Sequence, residues 1–408
     1  MSIAPGDLTF LNFLVEDKKP GTVPMGPLLG RALRALRAYL HVDIAYISEA
    51  ADGGSVIRHI DTRSEYPGLV PGGRDPFDHA ECGADNARAG AHICVPIQLD
   101  GGTRYGNLVC AGPRADAVLH GRDVSMVRVF AELAAEHIEA DMYAQRRTAE
   151  IEERVRFAID SDLVSFLYQP VYDIKRAAVV GFEALARFAG TPPRGPGEWF
   201  ADAARVGMDV ALEAKLIAKA MESFQRLPDA VYIGFNVSPN IIVNGQLERA
   251  FANAPLERIV LEINEHPTIR QYDEMAKVLA PLREHGLRIS VDEAGGGIES
   301  FRHILQLKPD IIKLHMSLVR GIHTDHARST LASALIQFGK EHRCDLVAEG
   351  IETAAELSKL KAMGVAKMQG YLLGRPGTLE AACMLCEKNL ARRAVQPGRL
   401  AAEQASAA

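Results

Sequence analysis

The chain has 408 residues, 48% of them hydrophobic, and a formal charge of −6. That length exceeds one ordinary small domain, and the acidic balance excludes a general nucleic-acid surface, so no DNA partner is expected and an anionic ligand must be held by a local arginine or a metal. No apolar stretch approaches the ~20 residues needed to span a bilayer and the N-terminus lacks a signal-peptide pattern, which leads to the expectation of a cytoplasmic protein with no membrane span.

Residues 1–23 mix Pro, Gly and charge without a sustained period and form a poorly specified lead-in. From Met25, leucines at 28, 29, 33, 36 and 40 follow a helical period. Two hairpins come next: residues 42–48 and 55–60 flank Asp52-Gly-Gly, and residues 91–97 and 105–110 flank Asp100-Gly-Gly. Helix, paired strands, loop, paired strands and a closing helix predict a small α+β domain. Its order is similar to that of a GAF sensor domain over residues 24–121, with the closing helix beyond; the ligand of such a domain is left unspecified. The six cysteines (82, 94, 110, 344, 383 and 386) have no zinc-finger spacing and read as reduced thiols.

Residues 122–159 contain neither Pro nor Gly and carry apolar positions at Val129, Leu133, Ile138, Met142, Ile151, Val155 and Ile159. One linking helix is predicted, with two readings of its stripe: pairing with a second copy, giving a homodimer, or packing on its own domain. From residue 160 to 395 a different pattern runs. Residues 166–172 pair across a Lys175-Arg turn with residues 179–188, with no helix between them, so these two strands are antiparallel. Strand and helix then alternate to Tyr371, and residues 396–408 form an Ala-rich polar tail that reads as disordered.

The strands of this second region share one property, because each apolar run ends in a polar residue: Glu183, Asn236, Glu262, Asp292, Lys313 and Glu349. A lone Asp after a strand reads most simply as a cap for the next helix. Six such residues are hard to obtain from core packing, and a barrel that gathers its strand C-termini into a site explains them together. Several carboxylates at one rim repel one another unless divalent cations lie between them. The oxygen donors Glu183, Asn236, Glu262 and Asp292 suit Mg²⁺ or Mn²⁺ rather than zinc, and Glu293 beside Asp292 reaches toward a second ion ~3.5 to 4 Å away, a two-metal arrangement. Lys313 then fits as the group that orients or deprotonates water. Arg187, four residues past Glu183 on an extended strand, shares its face and suits a phosphate.

Glu183-Ala-Leu-Ala-Arg187 resembles the signature of the EAL domain, the bacterial cyclic di-GMP phosphodiesterase barrel, whose first strand is also antiparallel. Gln169-Pro170, Phe235-Asn-Val-Ser238, Leu261-Glu-Ile-Asn-Glu265, Asp292-Glu293, Lys313-Leu-His315, Ala348-Glu-Gly-Ile-Glu-Thr353 and Gln369-Gly-Tyr371 look like the family's other motifs, in order. The resemblance implies a TIM-like (β/α)8 barrel after the smaller GAF-like domain. It further implies metal ligation by Glu183, Asn236, Glu262, Asp292 and Glu293, Lys313 and Glu349 as catalytic groups, Arg187, Gln169 and Gln369 on the substrate, and Glu265 bracing the loop after Asp292. The departures fall in residues 293–299, where Asp292-Glu-Ala-Gly-Gly-Gly-Ile-Glu-Ser300 stands for Asp-Asp-Phe-Gly-Thr-Gly-Tyr-Ser-Ser. Two functions stay open: hydrolysis of cyclic di-GMP to linear pGpG, slowed by that loop, and non-catalytic reception of cyclic di-GMP for a protein partner.

Overall fold

The computed structural model describes residues 25–63, 68–76, 92–112, 121–190, 192–251, 254–263, 272–294 and 304–395. The chain divides into two compact units between Thr148 and Ala149.

In the first unit, helix α1 (Met25–Leu40) precedes strands β1 (Ile44–Ala51), β2 (Gly54–Thr62), β3 (His92–Gln98) and β4 (Arg104–Ala111). They form an antiparallel sheet in the order β2-β1-β4-β3, so each hairpin pairs within itself and β1 joins β4 at the centre. Alternation sorts β1 between two faces. Ala45 and Ile47 pack with Leu29, Leu33 and Leu36 of α1, whereas Ile44 and Tyr46 join Ile57, Cys94 and Val109 in a second cluster. Cys110 is a free thiol, but Cys94 is disulfide-bonded. This corrects the reading of every cysteine as reduced, because spacing along the chain does not reveal which thiols folding brings within bonding distance.

Helix α2 (Gly121–Asp160) is continuous over the span that lacks Pro and Gly. Val127, Phe130, Ala131, Ala134 and Ile138 pack into the core of the first unit; Ile151 and Val155 pack against Ala203, Leu212 and Leu216 in the second.

The second unit is a closed barrel in the order β10-β11-β12-β5-β6-β7-β8-β9. Its strands are β5 (Val164–Asp173), β6 (Ala178–Phe188), β7 (Tyr232–Val237), β8 (Ile259–Ile263), β9 (Arg288–Ala294), β10 (Ile311–Leu314), β11 (Asp345–Ala348) and β12 (Lys367–Met368). The first of them, β5, is antiparallel to both neighbours, β6 and β12, and the remaining pairings are parallel. Helices α3 (Pro196–Arg205), α4 (Asp209–Met221), α5 (Tyr272–Glu284), α6 (His326–His342), α7 (Ala354–Ala362) and α8 (Leu379–Val395) occur between and after the strands. Outward residues such as Phe182, Ile233, Leu261, Ile289 and Ile312 bury themselves against helices including α4 and α5.

The interior is filled rather than hollow. Val171, Tyr232, Val260, Ile311 and Val347 form one internal cluster, and the Arg288 guanidinium lies 4.8 Å from the centre of the Tyr232 ring. Because strand side chains repeat every two residues, the next inward positions are fixed. They are Glu262, Lys313 and Glu349 on or beside β8, β10 and β11, and on the reversed β5 the position two residues earlier, Gln169. The filled layer is therefore the floor of the site.

Candidate active site

Lys313 is the centre of the arrangement. It is 3% exposed, and its Nζ lies 2.6 Å from Glu262 Oε2, 2.6 Å from Glu349 Oε1, 3.3 Å from Glu183 Oε2 and 3.8 Å from Asp292 Oδ2. Four carboxylates thus meet one ammonium. Burial works against the Lys313 charge, but Asp292, Glu183, Glu262 and Glu349 together outweigh it and hold the lysine well above its ordinary pKa. Burial pushes Glu262 up to about 8 despite the attraction of Lys313, with the neighbouring Glu183 and Asp292 adding to the rise. Glu349 is raised in the same sense, first by burial and then by Asp292 and Glu183. Lys313 stays charged, and Glu262 and Glu349 hold their protons to higher pH than ordinary carboxylates do.

Amides extend the ring. Asn236 donates through Nδ2 to Glu183 Oε1 at 3.1 Å. Gln369 donates to Glu183 Oε2 at 2.7 Å and to Gln169 Oε1 at 3.1 Å, and Gln169 donates in turn to the Gly374 carbonyl at 3.3 Å. A cavity of about 300 Å³ opens beside these groups, with Gln169, Glu183, Leu185, Asp292, Glu349 and Gln369 in its wall.

The sequence-derived residues do not all arrive in the same place. Glu183, Asp292, Glu349, Gln169 and Gln369 face the cavity; Glu262 and Lys313 are buried and tied to that ring, and Asn236 reaches it through Glu183. Arg187 follows on β6 but does not line the cavity, and its guanidinium donates to the Ala186 carbonyl at 2.8 Å. Glu265 and the side chain of Glu293 lie outside the described residues, as does the altered loop that follows. The cavity wall also includes His315, Arg320, Glu352 and Tyr371, to which sequence reasoning gave no role. Glu352 and Tyr371 stand inside motifs already noted, whereas Arg320 carries no sequence signal.

The donor chemistry suits a hard divalent cation. Every candidate ligand atom is an oxygen, the carboxylates outnumber the one positive charge near them, and Gln369 Oε1 is buried without a partner among the described residues. Glycine on β7 leaves a seat for one donor, since a Cβ at Gly234 would overlap Glu262 Oε1. Among the described residues, no group of three or more His, Cys, Asp or Glu is already spaced to hold an ion. Their present spacing is set by the Lys313 ammonium, which stands where the carboxylates converge.

Comparison with known proteins agrees with the barrel. The chain is 27% identical over 218 residues to the probable cyclic di-GMP phosphodiesterase PdeD of Escherichia coli (strain K12), covering 51% of this chain and 40% of that one. It is 27% identical over 234 residues to the signaling protein YkoW of Bacillus subtilis (strain 168), covering 54% and 29%. It therefore spans less than half the length of these curated relatives. Among solved structures, the EAL enzyme Bd1971 in its cAMP and cyclic di-GMP bound form superposes with a TM-score of 0.56 at 18% identity, over 84% of this chain and 93% of that one. The FimX EAL domain of Xanthomonas citri superposes with a TM-score of 0.52 at 18% identity, over 58% and 97%; these two likenesses concern the fold alone. The EAL domain model matches residues 152–376, more than half of the chain and the whole of the acidic ring, and the chain belongs to the EAL domain family.

Proposed function

We propose that this chain is a metal-dependent phosphodiesterase that opens cyclic di-GMP to linear pGpG, and that its first unit is a GAF-like sensor that regulates it. The observation that carries this reading is Lys313, buried among Glu183, Glu262, Asp292 and Glu349 at the C-terminal ends of the barrel strands. A structural ion pair needs one partner, whereas four carboxylates around a single ammonium suit a place where further positive charge is to be bound.

Glu183, Asn236, Glu262 and Asp292 would hold one divalent cation, Mg²⁺ or Mn²⁺, with Glu293 at the position of a second. Such ions neutralise the charge of a phosphodiester and lower the cost of ionising water. The chain's own residues do the rest. Gln169 and Gln369 fix the carboxylate of Glu183 and offer polar atoms to the nucleotide, and Arg187 swings from the Ala186 carbonyl to a phosphate oxygen. Lys313 and Glu349, 2.6 Å apart, orient the attacking water. Glu265 braces the loop after Asp292. The longer acid at Glu293 slows turnover in Mg²⁺, which accepts only a regular oxygen shell.

A second reading is favoured by one feature: Lys313 already serves as counter-ion to the carboxylates. A non-catalytic receptor could hold cyclic di-GMP at the same mouth without metal and report it to a protein partner. Metal dependence separates the two. Purified chain incubated with cyclic di-GMP and Mg²⁺ or Mn²⁺, followed by resolution of products, should yield pGpG that disappears with EDTA. Intact nucleotide that stays bound in EDTA supports the receptor instead.

A further inference from the structure

One side chain of the cavity wall keeps a hydrogen-bond donor that the reaction proposed above does not use: His315. Its place follows from strand periodicity. Ile311 belongs to the filled floor and Lys313 to the acidic ring, so the next inward position is 315, just past the end of β10 and ~6.6 Å higher at ~3.3 Å of rise per residue. Lys313 is buried and committed to carboxylates, whereas His315 is partly exposed and shares the wall with Asp292 and Glu349.

The imidazole is held by one nitrogen. His315 caps the one-turn helix Met316–Val319, its Nδ1 accepting from the Ser317 amide at 3.3 Å with Ser317 Oγ 2.9 Å from the same nitrogen. An amide can only donate, so Nδ1 presents its lone pair and the proton of the neutral ring sits on Nε2. Nε2 has no protein partner among the described residues. The main chain below is fixed as well, because the amides of the buried Leu318 and Val319 donate to the His315 carbonyl at 2.9 and 3.2 Å. A donor is thereby held at the rim before any ligand arrives.

We propose that His315 is a catalytic residue that donates its Nε2–H to the ribose 3′-oxygen leaving phosphorus as cyclic di-GMP opens. The proposal rests on the hydrolytic reading of the site. In that reaction the oxygen of a water bonds to phosphorus, the P–O3′ bond breaks, and its electron pair moves onto O3′. The proton that the water gives up reaches O3′ through solvent, so the product carries a ribose hydroxyl. A ribose alkoxide leaves poorly, and a donor already in place stabilises the charge as it develops. The imidazole stays neutral throughout, since it lends a hydrogen bond without giving up its proton. Lys313 cannot take this part, because its ammonium is engaged by Glu262 and Glu349.

The test sets two variants of the full chain against two substrates in Mn²⁺. An Asn amide reaches the position of Nδ1 and a Gln amide that of Nε2, so His315→Asn keeps the cap and lacks the donor, and His315→Gln does the reverse. His315→Asn should lower kcat on cyclic di-GMP by at least about thirtyfold with KM within about threefold, the mark of a contact made as charge develops. His315→Gln should recover at least about tenfold of that loss. Bis(p-nitrophenyl) phosphate has a leaving phenolate that needs no donor, and its cleavage should change by no more than about threefold in either variant. The opposite order on cyclic di-GMP, with Asn active and Gln inactive, would make His315 a helix cap alone. Equal losses on the two substrates, in variants with native melting temperatures, would remove it from the leaving oxygen. A native chain inactive on cyclic di-GMP also overturns the role, and its rate on the aryl diester then shows whether the hydrolytic reading itself survives.

Discussion

Lys313 and Arg187 are both cations on barrel strands, yet their surroundings assign them different work. Lys313 is buried and already spent on carboxylates, so it has little to offer a nucleotide phosphate and much to offer a water among the acids. Lys313→Ala in Mn²⁺ should abolish turnover while the cyclic di-GMP dissociation constant stays within about tenfold, ~1.4 kcal/mol. Equal loss of binding and turnover, measured by calorimetry and product chromatography, would move Lys313 onto the substrate. Removing one member of a buried charge cluster also costs stability, about 3 to 5 kcal/mol in the metal-free chain, which added Mn²⁺ should partly restore. Among the described residues Arg187 is tied only to a carbonyl, and Arg187→Ala should raise the dissociation constant about tenfold or more with little effect on the rate of bound substrate. An unchanged constant would remove Arg187 from the substrate. Lower in the barrel, a Cβ at Gly181 would stand 2.5 Å from the Tyr232 ring, which is itself boxed in by Val171, Val260 and Ile311. Gly181→Ala should therefore cost about 1 to 3 kcal/mol in denaturant titration, and a neutral result would mean that the floor can shift.

At the scale of elements, α2 divides the stripe that its sequence presents as one. Ile138, Ile151 and Val155 are consumed inside the units, whereas Val129 and Leu133 remain 50% and 37% exposed one turn apart. Exposed apolar residues at that spacing suit a second helix, so we expect Val129→Glu with Leu133→Glu to shift the chain from dimer to monomer in sedimentation equilibrium. A double variant that stays dimeric would place the interface elsewhere. The strands were more legible than this helix. Glu183, Asn236, Glu262, Asp292, Lys313 and Glu349 each end an apolar run, and period-two alternation turns that placement into convergence once a barrel is assumed. By contrast β12 has only two residues, too few to show alternation, so Gln369 was found by motif resemblance and not by pattern. Arg320 lies just beyond a one-turn helix, Met316–Val319, and meets Glu352 only because two loops share the Glu356 carboxylate. Long-range meetings of this kind leave no local trace.

For the whole molecule, the acidic ring links fold stability to pH and, on the proposed metal-dependent reading, to a divalent cation. Glu262 is pushed up to about 8 by burial, and Glu349 is raised for the same reason, so between about pH 4.5 and 8 the folded barrel binds more protons than the unfolded chain. Stability must then fall as pH rises through that window. Lys313 does not oppose the trend, because its raised pKa leaves it charged in both states below about 10.4, the ordinary lysine value. Other groups add their own slopes, and the contribution of the ring is isolated by comparison with Glu262→Gln, which keeps the shape and cannot ionise. In EDTA the native chain should melt progressively lower relative to Glu262→Gln from pH 5 to pH 8. With Mn²⁺ the order should reverse near pH 8, where the ionised carboxylate becomes a ligand and cation binding to the folded state alone stabilises it. If the two proteins keep a constant difference in melting temperature across this range without metal, Glu262 ionises in the barrel as it does in the unfolded chain. The neutralising charge would then already come from Lys313, and the receptor reading, which needs no metal, would gain the support that the enzyme loses.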